Sequence, residues 1–517
     1  MTTSLPFRVG PKGFDLSGPL PRLAELGHVH FLGIGGIGMS GIARIMLQRG
    51  VEVSGSDAAA VPALEELAAW GARVGVGFDP GRLSGVDTVV CSSAVRPGNP
   101  ELRAARDAGL RVLHRSQALA VLMANRRAVA VTGTNGKTTT TAMLTEVLRH
   151  AGMDPSFAIG GQLISANTNG WNGSGDTFVA EADESDASFL VYRPQLAILT
   201  NAQADHLDHY GTSAGVAAAF AAFVDSLGAQ GVLVGCLDDP GAARLVRDRA
   251  AAGLAAVGYG RAGSGTGSSQ PSESSDADPA VAFVRIVDEQ FDSGTTAFTL
   301  RGDFGEQPVT LAVPGRHNVD NATGAFCAAL QLGVSPAQAV AGLAAFTGTR
   351  RRFEVRGRAG GVSVVDDYAH NPPKVAAAVA TARQSVGDGG RVVAVFQPHL
   401  YSRTRDFAHQ FGQALSAADL VAVTEVYPAR EDPIPGVSGR LVADHVGAPV
   451  TWLPQVGHVP GWVRSVTHPG DLVLLIGAGD ITAQAPCILQ ALGGQPQAGQ
   501  PQEQHPQPGP ASQGSGG

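Results

Sequence analysis

The stretch Ala128-Val129-Ala130-Val131-Thr132-Gly133-Thr134-Asn135-Gly136-Lys137-Thr138-Thr139-Thr140-Thr141 changes character half-way along. Its first four residues form a short apolar run of the kind that fills a buried strand. A helix is predicted over Thr141–His150, where neither glycine nor proline interrupts the chain. Between them lies a glycine loop whose backbone N–H groups can turn inward and cradle phosphates. Lys137 is placed to reach the β- and γ-phosphates of ATP, and the Thr138 hydroxyl to ligate Mg2+. Gly133, Thr134, Asn135, Gly136 and Thr139 complete the candidate ATP loop. The pattern G-x-x-x-x-G-K-T is not fully met, because its first glycine would fall at Val131. Lysine usage strengthens the reading. The chain holds only Lys12, Lys137 and Lys374, so 34 of its 37 basic residues are arginine. Where arginine serves as the generic cation, a retained lysine points to a compact ammonium, such as one set against phosphate.

Upstream, Gly33-Ile34-Gly35-Gly36-Ile37-Gly38 fits G-x-G-x-x-G. It follows the apolar run His28–Leu32, precedes a helix-like stretch from Met39, and is answered by Asp57 at the end of the next strand. Gly33, Gly35, Gly36 and Gly38 let the backbone approach a pyrophosphate, and the helix start adds dipole and free N–H groups. The pattern leaves open whether that pyrophosphate belongs to NAD, FAD or a UDP-sugar. Alone it favours an oxidoreductase. Two nucleotide-type loops shift the balance, because a ligase that activates a UDP-linked substrate with ATP needs both.

Phosphoryl transfer to a carboxylate crowds negative charge, so cations should stand at strand ends near the phosphate loop. Phe178–Ala180 runs into Glu181-Ala182-Asp183-Glu184-Ser185-Asp186. Leu196–Leu199 runs into Thr200-Asn201 and then Asp205-His206-Leu207-Asp208. With Thr138, Glu181 and His206 are read as Mg2+ ligands; the carboxylate suits a hard cation, and histidine is the less usual choice. The plainer readings are a solvated acidic loop and a surface turn.

Length and composition set the frame. The 517 residues allow about three domains at ~100–200 residues each. The α/β alternation predicts parallel sheets with helices on both faces. Strands are predicted at Val51–Val53, Arg73–Val76 and Val86–Cys91, at Gly231–Val234, and at Ser363–Val365, Val392–Phe396, Leu420–Thr424 and Leu472–Ile476. The segments are an N-terminal extension, 1–27; a first α/β unit, 28–124; a second, 125–348, carrying a flexible insertion at 260–280; a third, 349–492; and a disordered tail, 493–517. No apolar run approaches a membrane span. No secretory signal opens the chain. Cys91, Cys236, Cys327 and Cys487 lie too far apart for a zinc or disulfide framework, which suits a reducing cytoplasm. A net charge of −8 with no basic block speaks against nucleic acid as a partner.

Taken together the motifs resemble the Mur ligases over nearly all of residues 28–482. The residues that carry the resemblance are His30–Gly41 with Gly55-Ser56-Asp57, Thr132–Thr140, Glu181–Phe189, Asn201 with Asp205-His206, and Pro314–Asn318 with Asn321-Ala322. Further along are Arg351–Glu354, Asp366–His370, Phe396–His399 with Tyr401–Arg405, and Tyr427–Glu431. The glycine loop, the Glu181–Phe189 run and Phe396–Arg405 are similar to the alanine-adding branch. The resemblance implies a Rossmann-like first domain, a central P-loop ATPase-like domain with a parallel sheet, and a Rossmann-like last domain. It implies that ATP phosphorylates the lactyl carboxylate of UDP-N-acetylmuramate and that L-alanine attacks the acyl phosphate, in cytoplasmic synthesis of peptidoglycan precursors. Carried over by position, Lys137 stabilises the transferring phosphoryl group; Thr138, Glu181 and His206 serve Mg2+; His317, Asn318 and Asp367 contact the adenosine. Arg351 or Arg352, His370, His399 and Arg403 would lie near the amino acid. A monomer or homodimer is expected, closing about hinges near 124–127 and 347–350. Three departures stand out. Asn135 replaces a histidine common in that branch. Leu400 follows His399 where relatives can carry arginine. No lysine lies between Lys137 and Lys374, which excludes the carbamylated lysine of some relatives. Three alternatives remain: another Mur-type ligase, such as one that returns recycled peptide; an NAD(P)-dependent oxidoreductase, which would leave Lys137, Glu181 and His206 idle; and a P-loop binding module or switch without ligation.

Overall fold

The computed structural model describes residues 5, 7–11, 14–261, 281–292, 294–387, 389–429 and 431–493. The expected insertion at 260–280 and tail at 493–517 lie almost wholly outside these, as do Lys12 and Arg430.

Around the first glycine loop, five parallel strands run in the order Arg73–Val76, Val53–Asp57, Val29–Leu32, Thr88–Cys91, Arg111–His114. Every residue of Val29–Leu32 and of Thr88–Cys91 is buried, as strands covered on both faces require. Strand order reverses between these two, and the glycine loop leaves the carboxyl end of Val29–Leu32 at that switch point. Arg111–His114 escaped the reading of the sequence because it opens on an exposed arginine and lacks a continuous apolar run.

The second sheet has ten strands. Its parallel part places Arg127–Thr132 between Leu196–Leu199 and Thr177–Glu181. Outward from Leu196–Leu199 come Val232–Cys236, Ala256–Arg261 and Ala282–Asp292. Antiparallel elements extend this parallel sheet at both edges: Ala282–Asp292, Thr295–Gly302 and Gly305–Leu311 form an antiparallel arm, and Ser156–Leu163 and Thr168–Trp171 an antiparallel hairpin. Thr295–Gly302 buries alternate residues only, the mark of a ribbon with one wet face, and such strands carry no apolar run to betray them.

The third sheet runs Glu354–Ala359, Val362–Asp367, Leu472–Ile476, Val392–Phe396, Leu420–Thr424, Val450–Leu453. The last five are parallel.

The described residues divide into two compact units, the boundary falling between Glu354 and Val355. The first two sheets share one unit, and one apolar cluster runs through both, from Ile45 and Met46 through Leu119 and Leu122 to Phe178, Phe189 and Phe223. At their seam the helix Ile37–Gln48 lies against the strand Thr168–Trp171. The Asn169 amide donates to the Ile37 carbonyl and, at 3.1 Å, to the Ser40 hydroxyl. Arg49 donates to Asn172 Oδ1 and to the Leu122 carbonyl, each at 2.7 Å. The expected hinge at 124–127 thus lies within a unit tied across this seam, whereas that at 347–350 lies just before the unit boundary.

A Cβ placed on Gly170 would sit 2.6 Å from the Gly41 Cα and 2.7 Å from its carbonyl oxygen. Backbone on both sides must therefore move, so Gly170→Ala should cost about 2 kcal/mol, within the ~1–3 kcal/mol of overpacked sites. The urea midpoint reads this directly; an unchanged midpoint would mean the seam is looser than it stands here.

Candidate active site

Strand order brings the candidate residues together. Val131 is level with Glu181 on one side, and Thr132 with Leu199 on the other. The loops after these three strands therefore leave the sheet side by side. Gly133 and Gly136 take φ of +131° and +86°, and a Cβ on them would lie 2.2 Å from Thr200 Oγ1 and 2.4 Å from Asn321 Oδ1. Glycine is required at both on steric and conformational grounds. Neighbouring loops pin the phosphate loop. The Asn135 N–H donates to Asn201 Oδ1 at 2.8 Å, while the Thr200 hydroxyl and Asn201 amide donate to the Asn135 carbonyl at 2.6 and 3.0 Å. The Thr134 hydroxyl donates to the Gln203 carbonyl at 3.0 Å.

The helix Lys137–His150 begins four residues earlier than expected. The Lys137 ammonium donates to the Gly133 carbonyl at 2.7 Å and stands 2.7 Å from Glu184 Oε2. Burial works to lower its pKa, but the carboxylates of Glu184, Asp183 and Glu181 outweigh burial and hold it above the ordinary value, so it stays charged. The Thr138 hydroxyl donates to Glu181 Oε1 at 3.0 Å, and the Gly160 N–H to Glu181 Oε2 at 2.7 Å. His206, at φ +54°, sets its Nε2 3.6 Å from Glu184 Oε1 and 3.9 Å from Asp205 Oδ2. Burial again pulls its pKa down, and contact with Glu184 and the fields of Asp205 and Asp183 raise it further than burial lowers it.

Of the three expected Mg2+ ligands, Thr138 and Glu181 are brought together and His206 is brought to Glu184. Among the described residues, no three His, Cys, Asp or Glu side chains are gathered into a cage. Mg2+ needs none, since it keeps waters and phosphate oxygens and takes one or two protein oxygens. Two hard oxygens 3.0 Å apart at the start of the phosphate-loop helix fit that requirement.

The other expected sites divide between the two units. In the first glycine loop, Gly33 has φ +75°, and the N–H groups of Gly33 and Ile34 donate to the Ser56 carbonyl at 2.8 and 3.0 Å. Asp57 Oδ2 accepts the Gly35 N–H at 2.9 Å, so this carboxylate holds the loop itself. Gly36 caps the following helix, and Gly38 is its second residue. Exposed His317 and buried Asn318 open the helix Arg316–Gln331, which reaches the phosphate-loop helix where the Thr140 hydroxyl donates to Asn321 Oδ1 at 3.1 Å. Arg352, expected near the amino acid, has its guanidinium 3.4 Å from the Thr138 hydroxyl, and Arg351, at φ +60°, donates its N–H to Glu354 at 2.8 Å. In the second unit, Asp367 ends its strand and accepts the Ala369 N–H at 2.8 Å. The His370 and His399 rings lie 6.2 Å apart, and His399 stacks on Tyr427 at 5.9 Å. Arg403 lies in the first turn of the helix Tyr401–Leu415. The expected amino-acid set is therefore split: Arg351 and Arg352 belong to one unit, and His370, His399 and Arg403 to the other.

Three contributors went unselected in the sequence. Glu184 was visible within the acidic run but nothing ranked it above its neighbours. Asn321 is among the residues that carry the resemblance but draws no role from it, and Arg115 has no local signal. Arg115 Nη2 donates to Asp183 Oδ2 at 2.8 Å. Burial works to raise the Asp183 pKa, but Arg115 and Lys137 hold this carboxyl well below the usual carboxylate range.

The chain is similar to known proteins over most of its length. Residues 28–127 match the Mur ligase family catalytic domain, 131–329 the Mur ligase middle domain, and 351–479 the Mur ligase glutamate ligase domain. The UDP-N-acetylmuramate–L-alanine ligase of Kineococcus radiotolerans is 51% identical over 489 residues, covering 93% of this chain and 99% of its own. That of Mycolicibacterium smegmatis is 48% identical, covering 90% and 95%. The crystal structure of the UDP-N-acetylmuramate–alanine ligase of Thermotoga maritima superposes with a TM-score of 0.73 at 26% identity, covering 90% of this chain and 98% of that one. A murein peptide ligase of Psychrobacter arcticus gives a TM-score of 0.65 at 25% identity, covering 90% and 99%.

Beside this site His114 is fully buried, with Nδ1 2.8 Å from Ser116 Oγ and Nε2 3.2 Å from Ser93 Oγ. Burial pushes its pKa down to about 4, against the pull of Asp186. The unfolded chain takes up this proton near pH ~6.5. Between pH ~6.5 and about 4 the unfolded state thus binds more protons, and stability should fall as pH falls through that window. His114→Gln should flatten the decline. Equal pH slopes for variant and wild type in urea unfolding would refute this.

Proposed function

The chain belongs to the Mur ligase family, and from that premise we propose that it joins L-alanine to the lactyl carboxylate of UDP-N-acetylmuramate, with ATP, in peptidoglycan precursor synthesis. The observation that carries this is identity of about half, over nine-tenths or more of both chains, to ligases named for that reaction. The peptide-recycling alternative has a structural relative, yet at 25% identity against 51% it is not favoured. An oxidoreductase leaves the phosphate loop without a purpose.

The reaction balances simply. The lactyl carboxylate takes the γ-phosphoryl group of ATP, giving an acyl phosphate and ADP. The amine of L-alanine then adds to the acyl carbon, and the tetrahedral intermediate expels phosphate to leave the amide. Each step gathers negative charge at one place, and this chain's residues answer it with position and charge. The Gly133–Thr139 loop offers N–H groups to the phosphates, and Lys137 exchanges Glu184 for phosphate oxygens when ATP arrives. Thr138 and Glu181, with His206 as the further candidate, would hold Mg2+, which offsets phosphate charge when bound. Arg352, beside the Thr138 hydroxyl, adds a guanidinium where the phosphoryl group transfers.

By the same reading, Gly33, Gly35, Gly36 and Gly38 receive the UDP-sugar on a loop shaped by Asp57, and His317, Asn318 and Asp367 serve the adenosine. His370, His399 and Arg403 receive the amino acid, Arg403 as the natural partner of its carboxylate. Arg351, whose backbone N–H is held by Glu354, is the further candidate for that role. The domains fall at 28–124, 125–348 and 349–492. Among the described residues no helix is long and apolar enough to cross a membrane. A cytoplasmic enzyme, monomer or homodimer, acting on small molecules follows from the reading.

Two measurements test it. Phosphate release from ATP and Mg2+ should require UDP-N-acetylmuramate and L-alanine together, and Lys137→Ala should lower it by ~100-fold or more. Release with neither substrate, or none with both, would sink the assignment. Glu181→Gln should raise the Mg2+ concentration for half-maximal rate by roughly 10-fold or more; an unchanged requirement would remove Glu181 from the metal.

A further inference from the structure

The four carboxylates in Glu181–Asp186 alternate in their partners. Glu181 meets Thr138, and Glu184 meets Lys137 and His206, all on the phosphate-loop side. Asp183 meets Arg115, and Asp186 accepts from the Ser93 hydroxyl at 2.7 Å, both on the side of the first sheet. Arg115 is the residue the function does not absorb. It is the first residue of the helix Arg115–Met123, where a cation opposes the helix dipole. Its guanidinium also lies against a second helix start. A Cβ on Gly38, the second residue of Ile37–Gln48, would be 3.6 Å from Arg115 Nη1. Two helix starts and a guanidinium thus converge beside the Gly33–Gly38 loop, with the Asp183 carboxylate as the nearby counter-charge at 2.8 Å. The Arg115 side chain keeps 21% of its surface open.

We propose that Arg115 is a binding residue for the UDP-linked substrate: its guanidinium meets the pyrophosphate received by the Gly33–Gly38 loop, while Asp183 fixes its direction. The planar fork explains the choice of arginine, since Nη2 can stay on Asp183 while the Nη1 edge faces the anion. The anchoring carboxylate is next to Glu184 in sequence, and Glu184 holds Lys137. One short loop therefore ties the place where the UDP-sugar is held to the ammonium that serves ATP. This inference rests on the ligase reading only for the identity of the ligand.

Calorimetric binding to the full chain without ATP tests it, using UDP-N-acetylmuramate and, as a probe with the same pyrophosphate but no lactyl carboxylate, UDP-N-acetylglucosamine. Arg115→Ala should weaken both by ~10-fold or more, because one charge-assisted contact is lost to each. Binding of a non-hydrolysable ATP analogue should change by less than about twofold, since Arg115 does not touch the phosphate loop. Arg115→Lys should recover part of the loss, and Asp183→Asn, which keeps the cation but frees it, should show a smaller one. Unchanged affinity for both nucleotide sugars in Arg115→Ala would overturn the proposal. So would a loss confined to the lactyl-bearing sugar, or a parallel fall in ATP-analogue affinity and thermal stability, the pattern of a purely structural role. If Arg115→Ala does not fold, Arg115→Lys and Asp183→Asn carry the same comparison. Wild-type chain that binds neither sugar would overturn this proposal together with the UDP-sugar reading. Wild-type chain that binds both sugars, beside an Arg115→Ala variant that does so equally well, overturns this proposal alone.

Discussion

A buried ammonium facing a buried carboxylate organises the first unit. Lys137 and Glu184 stand 2.7 Å apart, with 12% and 2% of their side chains exposed. Neither charge could be kept there alone, because an unpaired buried ion costs several kcal/mol even after relaxation. Together they keep the cation ionised and aimed at the mouth of the phosphate loop. Around it the other residues take positions: Thr138 and Glu181 on one side, His206 on the other, and Arg352 above the Thr138 hydroxyl.

That pair exists because of strand order. Arg127–Thr132 lies between Thr177–Glu181 and Leu196–Leu199, so three loops that are far apart in sequence leave the sheet together. Parallel strands point their carbonyl ends the same way, which gathers loops, helix starts and ligands at one edge. The same rule holds in the second unit, where Asp367, His370 and His399 stand at or just beyond the carboxyl ends of their strands. The first sheet is joined to the second by close backbone contact at Gly41 and Gly170 and by a shared apolar cluster, and this joining is what lets the Glu181–Asp186 loop touch both.

The sequence is legible where the pattern is local. The phosphate loop, the first glycine loop and the acidic strand end each declare themselves in a dozen residues or fewer. It fell short where the pattern is faint or the partner distant. The antiparallel strands Thr295–Gly302 and Gly305–Leu311 alternate polar and apolar residues and left no run to find. The Gly35 N–H finds Asp57 across 22 positions of chain, and Arg352 reaches Thr138 across 214.

By itself the sequence determined the local elements: two glycine loops between a strand and a helix, one lysine retained at a helix start, and carboxylates at a strand end. Those follow from residue type and near-neighbour spacing, because a turn with positive φ or a helix start is made by a few consecutive residues. Only the tertiary structure decided which carboxylate meets which cation. Asp183 pairs with Arg115 across 68 positions and Glu181 with Thr138 across 43. Such pairings depend on the order of strands in the sheet and on which face of a loop each side chain leaves, and no spacing along the chain encodes either.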